Sequence, residues 1–229
     1  LRCLVGSEMC IRDSSNIVLD DFKINKSQLN IAICIYDEKK IKYKMNSTNS
    51  YLITNTMALI ACLRSIEYDL NLIKNLKDLS ITKGRGNITK LKKDNKIIKL
   101  HDHSYNSSPI SLFASLNSFL KISNQKNLII VGDMHELGSK SNYYHIQVLK
   151  FLSKNRNSIH VLVGKNFFKN RKKYSSANMH FFNNVEYLNS EIVNFVEQIN
   201  KIFIKGSNSI GLYKTVNYLN NIVLSLIHI

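Results

Sequence analysis

The sequence predicts an α/β protein in two parts, a first part of β-hairpins and helices and a second part with a mainly parallel sheet. Two patterns indicate this fold class. Up to about residue 100, several segments alternate apolar and polar side chains with the period of two that half-buried strands show. Beyond that point, apolar strands alternate with helical segments, which is typical of a parallel sheet covered by helices. The 229 residues, 44% of them hydrophobic, suffice for one large domain or two small ones.

The first part is predicted to contain strands, two helices and a second hairpin. Residues 15–45 read as strands, because the apolar alternation at 29–35 resumes at 41–45 after a turn at 37–40. Apolar residues at helical spacing then predict a helix at 51–65. The remaining elements of this part are a short helix at 70–79, a glycine-containing loop at 82–87, strands at 88–92 and 96–100, and a tight turn at 94–95.

The second part has the order of elements of a Rossmann-like domain. Ser108 and Pro109 supply an N-cap and a first-turn proline for its opening helix, whose apolar stripe includes Leu112 and Leu116. We therefore place the boundary near Asn106, with residues 15–106 in the first domain and 107–224 in the second. Strands are predicted at 128–133, 160–164, 179–182 and 202–206, with helices from about residue 141, through Val193 and Val196, and after the last strand.

The formal charge of +16 raises the question of a nucleic-acid partner, since lysine and arginine neutralise phosphates. The excess is mainly lysine and is spread along the chain, and its densest cluster, at 165–173, has few aromatic residues placed for base stacking. We therefore expect a lysine-rich solvated surface and no nucleic-acid partner.

Other sequence features concern the cellular location of the protein, a possible metal site and the terminal residues. No apolar run approaches the ~20 residues of a membrane-spanning helix, and the four cysteines show no CxxC spacing, so we expect a cytoplasmic protein without a membrane span. The histidines lack the spacing of a metal site, and no metal ligand is assigned. Residues 1–14 and 225–229 resemble translated adapter sequence, and we expect both to be artefacts.

Three loops stand out because each follows an apolar strand and gathers polar residues. They are HDHSYNSSP at 101–109, GDMHELG at 132–138 and KGSNS at 205–209. Open α/β sheets bind ligands at the carboxyl ends of their strands, so each loop is a candidate part of a site. Taken singly, each loop fits a turn with a helix cap equally well.

Together with KGRGN at 83–87, the segments around these loops resemble the carboxyl half of the Mur ligases, and among them the members that add D-alanyl-D-alanine. The resemblance runs from about residue 17 to 222, and GDMHELG is its most specific piece. It implies an ATP-dependent ligase that joins an amino group to a carboxyl group through an acyl phosphate, in peptidoglycan precursor synthesis. The implied substrates are UDP-N-acetylmuramoyl-tripeptide and D-alanyl-D-alanine.

Mur ligases have three domains, and the resemblance covers only the end of the central ATP-binding domain and most of the Rossmann-like carboxyl-terminal domain. The sequence contains no GxxxxGK[ST] P-loop. The upstream residues that hold Mg²⁺ in the family have no counterpart in it either. We therefore expect a fragment that is inactive alone. ATP and Mg²⁺ would serve the full-length enzyme, which we expect to be a monomer.

The resemblance also implies roles for single residues. Arg85 matches an arginine that reaches a nucleotide phosphate, and a solvated loop arginine is the alternative. Residues 102–106 match an acidic-acidic-Ser-Tyr-Asn motif that cradles adenine and ribose. The predicted nucleotide-binding residues are Arg85, Asp102, His103, Ser104, Tyr105 and Asn106, and the catalytic candidates are Asp133, Lys205 and Ser207.

Two interpretations of Asp133 and Glu136 are equally open. These carboxylates either orient the amine of the dipeptide, or Asp133 caps a helix while Glu136 lies in a turn. The matching histidine of the following helix, His145, is expected to be a hydrogen-bonded structural residue.

The sequence departs from the family at three positions. His103 stands where the family has its second acid, and a neutral imidazole accepts through one nitrogen only. Asn208 replaces the usual Arg after the KGS motif, and Tyr213 replaces the usual Glu. Two other functions stay open: a superfamily amide ligase of the folylpolyglutamate synthase type, against which DHSYNSSP and GDMHELG argue, and a basic Rossmann-like binding module without catalysis.

Overall fold

The chain forms two compact units that divide between residues 80 and 81. The computed structural model describes residues 17–25, 28–35, 40–46, 51–78, 82–93, 96–121, 126–197 and 199–225. The adapter-like ends and the turns predicted at 37–40 and 94–95 fall wholly or largely outside these residues.

The first unit is an antiparallel sheet with a helix packed on it. Ile31 and Ile33 of its middle strand share one apolar core with Ile53 and Ile60 of the helix, as the alternation predicted. A 3-10 helix at Leu70–Asp78 stands where the second short helix was predicted. The other elements are β1 (Ile17–Asn25), β2 (Gln28–Ile35), β3 (Ile41–Met45) and α1 (Tyr51–Ser65), and the strands pair in the order β1-β2-β3.

The second unit contains a six-stranded sheet that confirms the predicted α/β class. Its strands are β4 (Asn87–Lys93), β5 (Lys96–His103), β6 (Asn127–Gly132), β7 (Ser158–Val163), β8 (Met179–Phe182) and β9 (Lys201–Lys205). Their order is β4-β5-β9-β6-β7-β8. Strand β4 is antiparallel to β5, and the other neighbours are parallel. The carboxyl ends of β5 to β9 therefore lie at one edge.

Helices of the second unit cover the sheet, and apolar residues form a core on each of its faces. The helix predicted through Val193 and Val196 is present as a four-residue helix at Val193–Val196, and a separate helix at Val185–Glu191 precedes it. The helices are α2 (Pro109–Lys121), α3 (Ser141–Ser153), α4 (Lys165–Phe168), α5 (Arg171–Tyr174), α6 (Val185–Glu191), α7 (Val193–Val196) and α8 (Leu212–Ser225). Among the described helices, none is long and apolar enough to span a bilayer.

The hairpin of β4 and β5 belongs to the second unit rather than preceding it. Strand β5 continues to His103 and pairs in parallel with β9, with His101 opposite Phe203. The division between residues 80 and 81 therefore precedes the boundary that we placed near Asn106. Alternation along a strand identifies its buried face but not its partner strand, so the sequence pattern does not assign the hairpin to a sheet.

Candidate functional site

The three predicted loops lie together at the carboxyl edge of the second unit's sheet. They follow β5, β6 and β9, which are neighbours in the order β5-β9-β6. The Ser207 N–H donates to the Asp133 carbonyl at 3.1 Å. The Lys205 ammonium donates from Nζ to the Asn106 carbonyl at 2.8 Å. The loop after β9 thus contacts both of the others, and the sequence correctly grouped them.

The KGRGN loop forms a fourth part of this edge. The Tyr105 N–H donates to the Gly84 carbonyl at 3.0 Å, and the Gly86 N–H donates to the Asp102 carbonyl at 2.7 Å. Gly84 has a φ of +77°, and a Cβ there would lie 2.9 Å from the Tyr105 nitrogen. Glycine is required at this position because both the backbone conformation and the close approach exclude a side chain.

Arg85 and Tyr105 form an exposed cation–aromatic pair on this platform. The guanidinium carbon of Arg85 lies 4.1 Å from the centroid of the Tyr105 ring, which is 47% exposed. Such a pair offers an aromatic face for stacking and a positive charge with several donors for an anion. A planar base and a phosphate group are the chemical groups that fit it.

Asp102, Ser104 and Asn106 help to shape the loop. The buried carboxylate of Asp102 accepts from the Ser104 N–H at 2.9 Å, which is an Asx-type turn. The side-chain oxygen of Asn106 accepts from the Ser107 N–H at 2.8 Å. Ser104 itself is buried. Among the nucleotide-binding candidates, Arg85, Tyr105 and Asn106 are therefore exposed, whereas Asp102 and Ser104 are buried and hold the turn.

His103 is neutral at physiological pH. Its ring centroid lies 5.2 Å from that of Phe203, and burial, with the nearby charges of Lys205 and His101, lowers its pKa to about 3. This imidazole therefore carries no charge at the position where the family resemblance implies a second acid.

Ser207 and two glycines join the loops after β6 and β9. The hydroxyl of Ser207 accepts from the His135 N–H at 2.9 Å, and Ser209 Oγ lies 2.6 Å from His135 Nδ1. A Cβ added to Gly206 would lie 2.9 Å from the Cα of Gly132, so the two backbones touch where no side chain fits. Ser207 is buried, and its observed contact is structural.

Asp133 caps a helix that begins 32 residues later in the sequence. Its two carboxylate oxygens accept from the N–H groups of Asn166 at 2.8 Å and Phe167 at 3.0 Å, at the start of α4. The carboxylate is buried, and a Cβ on Gly164, which has a φ of +118°, would lie 2.5 Å from its Cγ. These contacts favour the capping interpretation over a free carboxylate for an amine.

His145 is a buried, hydrogen-bonded residue beside this cap. Its Nε2 accepts from the Met134 N–H at 3.1 Å, and its Nδ1 lies 2.7 Å from the Ser141 carbonyl. These contacts set the neutral tautomer with the proton on Nδ1, and burial lowers its pKa. His145 therefore fits the expected structural role.

A cleft of about 670 Å³, lined mostly by polar and charged residues, opens beside the loops at the same edge. Lys165 and Lys214 provide its positive charges, and Glu186, at 3.3 Å from Lys214 Nζ, provides a negative one. Hydrogen bonding by its own backbone and by Lys214 lowers the pKa of Glu186. The cleft is also lined by Asp133, His135, Gly164, Asn166, Asn183, Asn184, Asn208, Ser209, Ile210, Gly211 and Tyr213.

Sequence reasoning missed several lining residues of this cleft, including Lys165, Asn183 and Lys214. Their position was the available signal: Lys165 and Asn183 lie within two residues of the ends of β7 and β8, and Lys214 lies in the first turn of α8. Glu136 of the GDMHELG loop is exposed, with a φ of +61°, and is not among the lining residues.

Comparisons with known proteins agree with this architecture. No family model matches the chain. The chain is 31% identical over 151 residues to UDP-N-acetylmuramoyl-tripeptide--D-alanyl-D-alanine ligase of Rickettsia prowazekii (strain Madrid E). This match covers 63% of the chain and 32% of that protein, so the chain spans about a third of the curated relative's length.

Solved structures share the fold. MurF from Acinetobacter baumannii and MurF ligase from Thermotoga maritima in complex with ADP superpose with TM-scores of 0.72 and 0.70, each at 18% identity. These matches cover 90% and 93% of this chain and 45% and 48% of those chains. A point mutant of L. casei FPGS gives a TM-score of 0.52 at 13% identity and covers 92% of this chain and 45% of that chain. The sequence match and these folds confirm the Mur ligase resemblance.

Proposed function

From this Mur ligase relationship, we propose that the chain is the carboxyl-terminal part of an ATP-dependent ligase that adds D-alanyl-D-alanine to UDP-N-acetylmuramoyl-tripeptide. One observation carries the proposal: the DHSYN, GDMHELG and KGS loops, which the resemblance ties to this activity, meet at one edge of the sheet beside a polar cleft. We place the enzyme in the cytoplasm, as a monomer. Residues 17–78 would then come from the central domain and 82–225 from the carboxyl-terminal domain.

The exposed Arg85–Tyr105 pair supports a role in nucleotide binding. The Tyr105 ring offers a face on which adenine can stack, and the guanidinium of Arg85 can donate to a phosphate of ATP. Asp102 and Ser104 would act through the shape of the loop, since both are buried. Because His103 is neutral, it would bind ribose more weakly than the carboxylate that it replaces.

The resemblance implies Mg²⁺ together with ATP. Among the described residues, no group of three or more histidine, cysteine, aspartate or glutamate side chains could hold a metal ion. These residues therefore do not fit a magnesium site.

The cleft supports binding of a small zwitterion such as D-alanyl-D-alanine. Lys165 and Lys214 can attract its carboxylate, and Glu186 can accept from its ammonium group. Once deprotonated, the dipeptide amine would attack the carbonyl carbon of the acyl phosphate. The C–N bond forms, the bond from that carbon to the phosphate oxygen breaks, and phosphate leaves with the electron pair. The nitrogen releases a proton to solvent as the amide forms.

The test uses a restored enzyme. In it, the upstream part of the Rickettsia prowazekii ligase is kept, and this chain replaces the segment of that ligase that it matches. We expect phosphate release from ATP that requires both the tripeptide nucleotide and D-alanyl-D-alanine. Release driven by a folate and L-glutamate would instead favour the folylpolyglutamate synthase type. Salt-sensitive binding of this chain to generic DNA, without ligase activity, would favour a binding module.

A further inference from the structure

Lys205 is a buried cation whose ammonium group bonds to the loop after β5. Its side chain is 6% exposed, and its Nζ donates to the Asn106 carbonyl at 2.8 Å. Lys205 is the last residue of β9 and lies opposite His103 in the parallel register. The Lys205 side chain therefore reaches from β9 to Asn106, which lies three residues beyond His103 in the loop after β5.

A buried ammonium group carries a desolvation cost that a packing residue such as methionine avoids. Within the described residues, Lys205 forms no ion pair with a carboxylate. Burial, together with the nearby charge of Arg85, lowers its pKa to about 8, so the group is mostly charged at neutral pH. A charged donor forms a stronger hydrogen bond to a carbonyl than a neutral donor does, which gives the charge a structural use.

Within the described part of the chain, the bond from Lys205 and a backbone bond to Gly84 both hold the Tyr105–Asn106 segment from outside the loop. The Gly84 carbonyl accepts from the Tyr105 N–H at 3.0 Å on one side. The Lys205 ammonium group holds the Asn106 carbonyl on the other side. The exposed ring of Tyr105, with Arg85 above it, projects from the segment between these two anchors.

We propose that Lys205 is a positioning residue that fixes the Tyr105–Asn106 segment for nucleotide binding and does not itself contact the nucleotide. This inference rests on the proposed nucleotide role of that loop. Losing the ammonium group would release the Asn106 carbonyl and let the segment sample other conformations. The fraction of enzyme ready to bind ATP would fall, whereas the chemistry after binding would be unchanged.

The test compares Lys205→Met, which keeps most of the aliphatic stem, with Lys201→Met, which removes a lysine at the start of the same strand. Amide hydrogen exchange is measured on this chain, and steady-state kinetics on the restored enzyme. For Lys205→Met we expect about tenfold faster exchange at residues 104–107 and about a tenfold higher KM for ATP, with kcat within about twofold of the parent. For Lys201→Met we expect neither change.

Three results separate the role of Lys205 from that of the loop. Unchanged exchange at residues 104–107 in Lys205→Met would overturn the positioning role. A drop in kcat of about a hundredfold at unchanged KM would also overturn it, because it would place the ammonium group on the reacting phosphate. If Lys205→Met and Tyr105→Ala both leave the KM for ATP unchanged, the proposed nucleotide role of the loop fails. This conclusion holds even if amide exchange in Lys205→Met is faster.

Discussion

Replacing Asp133 with asparagine separates the two roles that the sequence left open for this residue. The aspartate carboxylate satisfies two N–H groups at the start of α4, the part-buried one of Asn166 and the buried one of Phe167. An asparagine amide has a single acceptor oxygen, so its NH₂ group would face one of these donors. The variant therefore loses one charge-assisted hydrogen bond and leaves a buried N–H unpaired.

The magnitude follows from the cost of that unpaired group. A hydrogen bond to a charged group contributes about 1.5–3 kcal/mol, and an unsatisfied buried donor costs about 1–3 kcal/mol. Because the two figures describe overlapping parts of one loss, we expect Asp133→Asn to lower the free energy of unfolding by about 2–4 kcal/mol. Glu136→Gln removes the same charge from an exposed side chain of the same loop, and we expect a change below about 0.5 kcal/mol.

Urea unfolding followed by far-ultraviolet circular dichroism measures this difference, and amide exchange at Asn166 and Phe167 localises it. In the restored enzyme, KM values for dipeptide and for ATP should match the parent at temperatures where the variant is folded. Unchanged stability with a selectively higher KM for the dipeptide would refute the capping argument and assign the carboxylate to the substrate amine.

The remaining predictions concern nucleotide binding and acid stability. Arg85→Ala and Tyr105→Ala in the restored enzyme should each raise the KM for ATP about tenfold, because each removes half of the exposed pair; unchanged ATP kinetics in both would remove the loop from the nucleotide site. His160 is fully buried, both of its ring nitrogens are without hydrogen-bond partners among the described residues, and burial lowers its pKa from 6.5 to about 4. As the pH falls below 6.5, His160 therefore takes up a proton in the unfolded chain before it does so in the folded chain. The free energy of unfolding falls by about 3 kcal/mol between about pH 7 and pH 4 because of this residue. On acidification from about pH 7 to pH 4, His160→Leu should lose about 3 kcal/mol less stability than the parent, as measured by urea unfolding. An equal loss of stability in the variant and the parent would contradict the burial argument.

Most of the second unit's fold could be predicted because its strands are apolar and bounded by polar loops. Strand β6, for example, is buried at all six positions, as its apolar sequence indicates. The four-residue helices α4 and α5 could not be predicted, because one helical turn is too short for a periodic pattern.

The site was predictable as a set of loops but not as a set of contacts. The motif order placed Arg85 and Tyr105 in one predicted nucleotide site, and the structure stacks them. The bond between Lys205 and Asn106 joins residues 99 positions apart, and the cap formed by Asp133 on Asn166 spans 33 positions. Pairings at such distances depend on strand order, which local sequence patterns do not encode.

The most direct test of the proposed ligase is a mass measurement on the restored enzyme with ATP, D-alanyl-D-alanine and a tripeptide nucleotide labelled with ¹⁸O in its terminal carboxylate. The account predicts a product in which the dipeptide is joined to the nucleotide, with one labelled oxygen in the released phosphate, as an acyl phosphate requires. Absence of the joined product with a folded protein, or phosphate that carries no label, would contradict it.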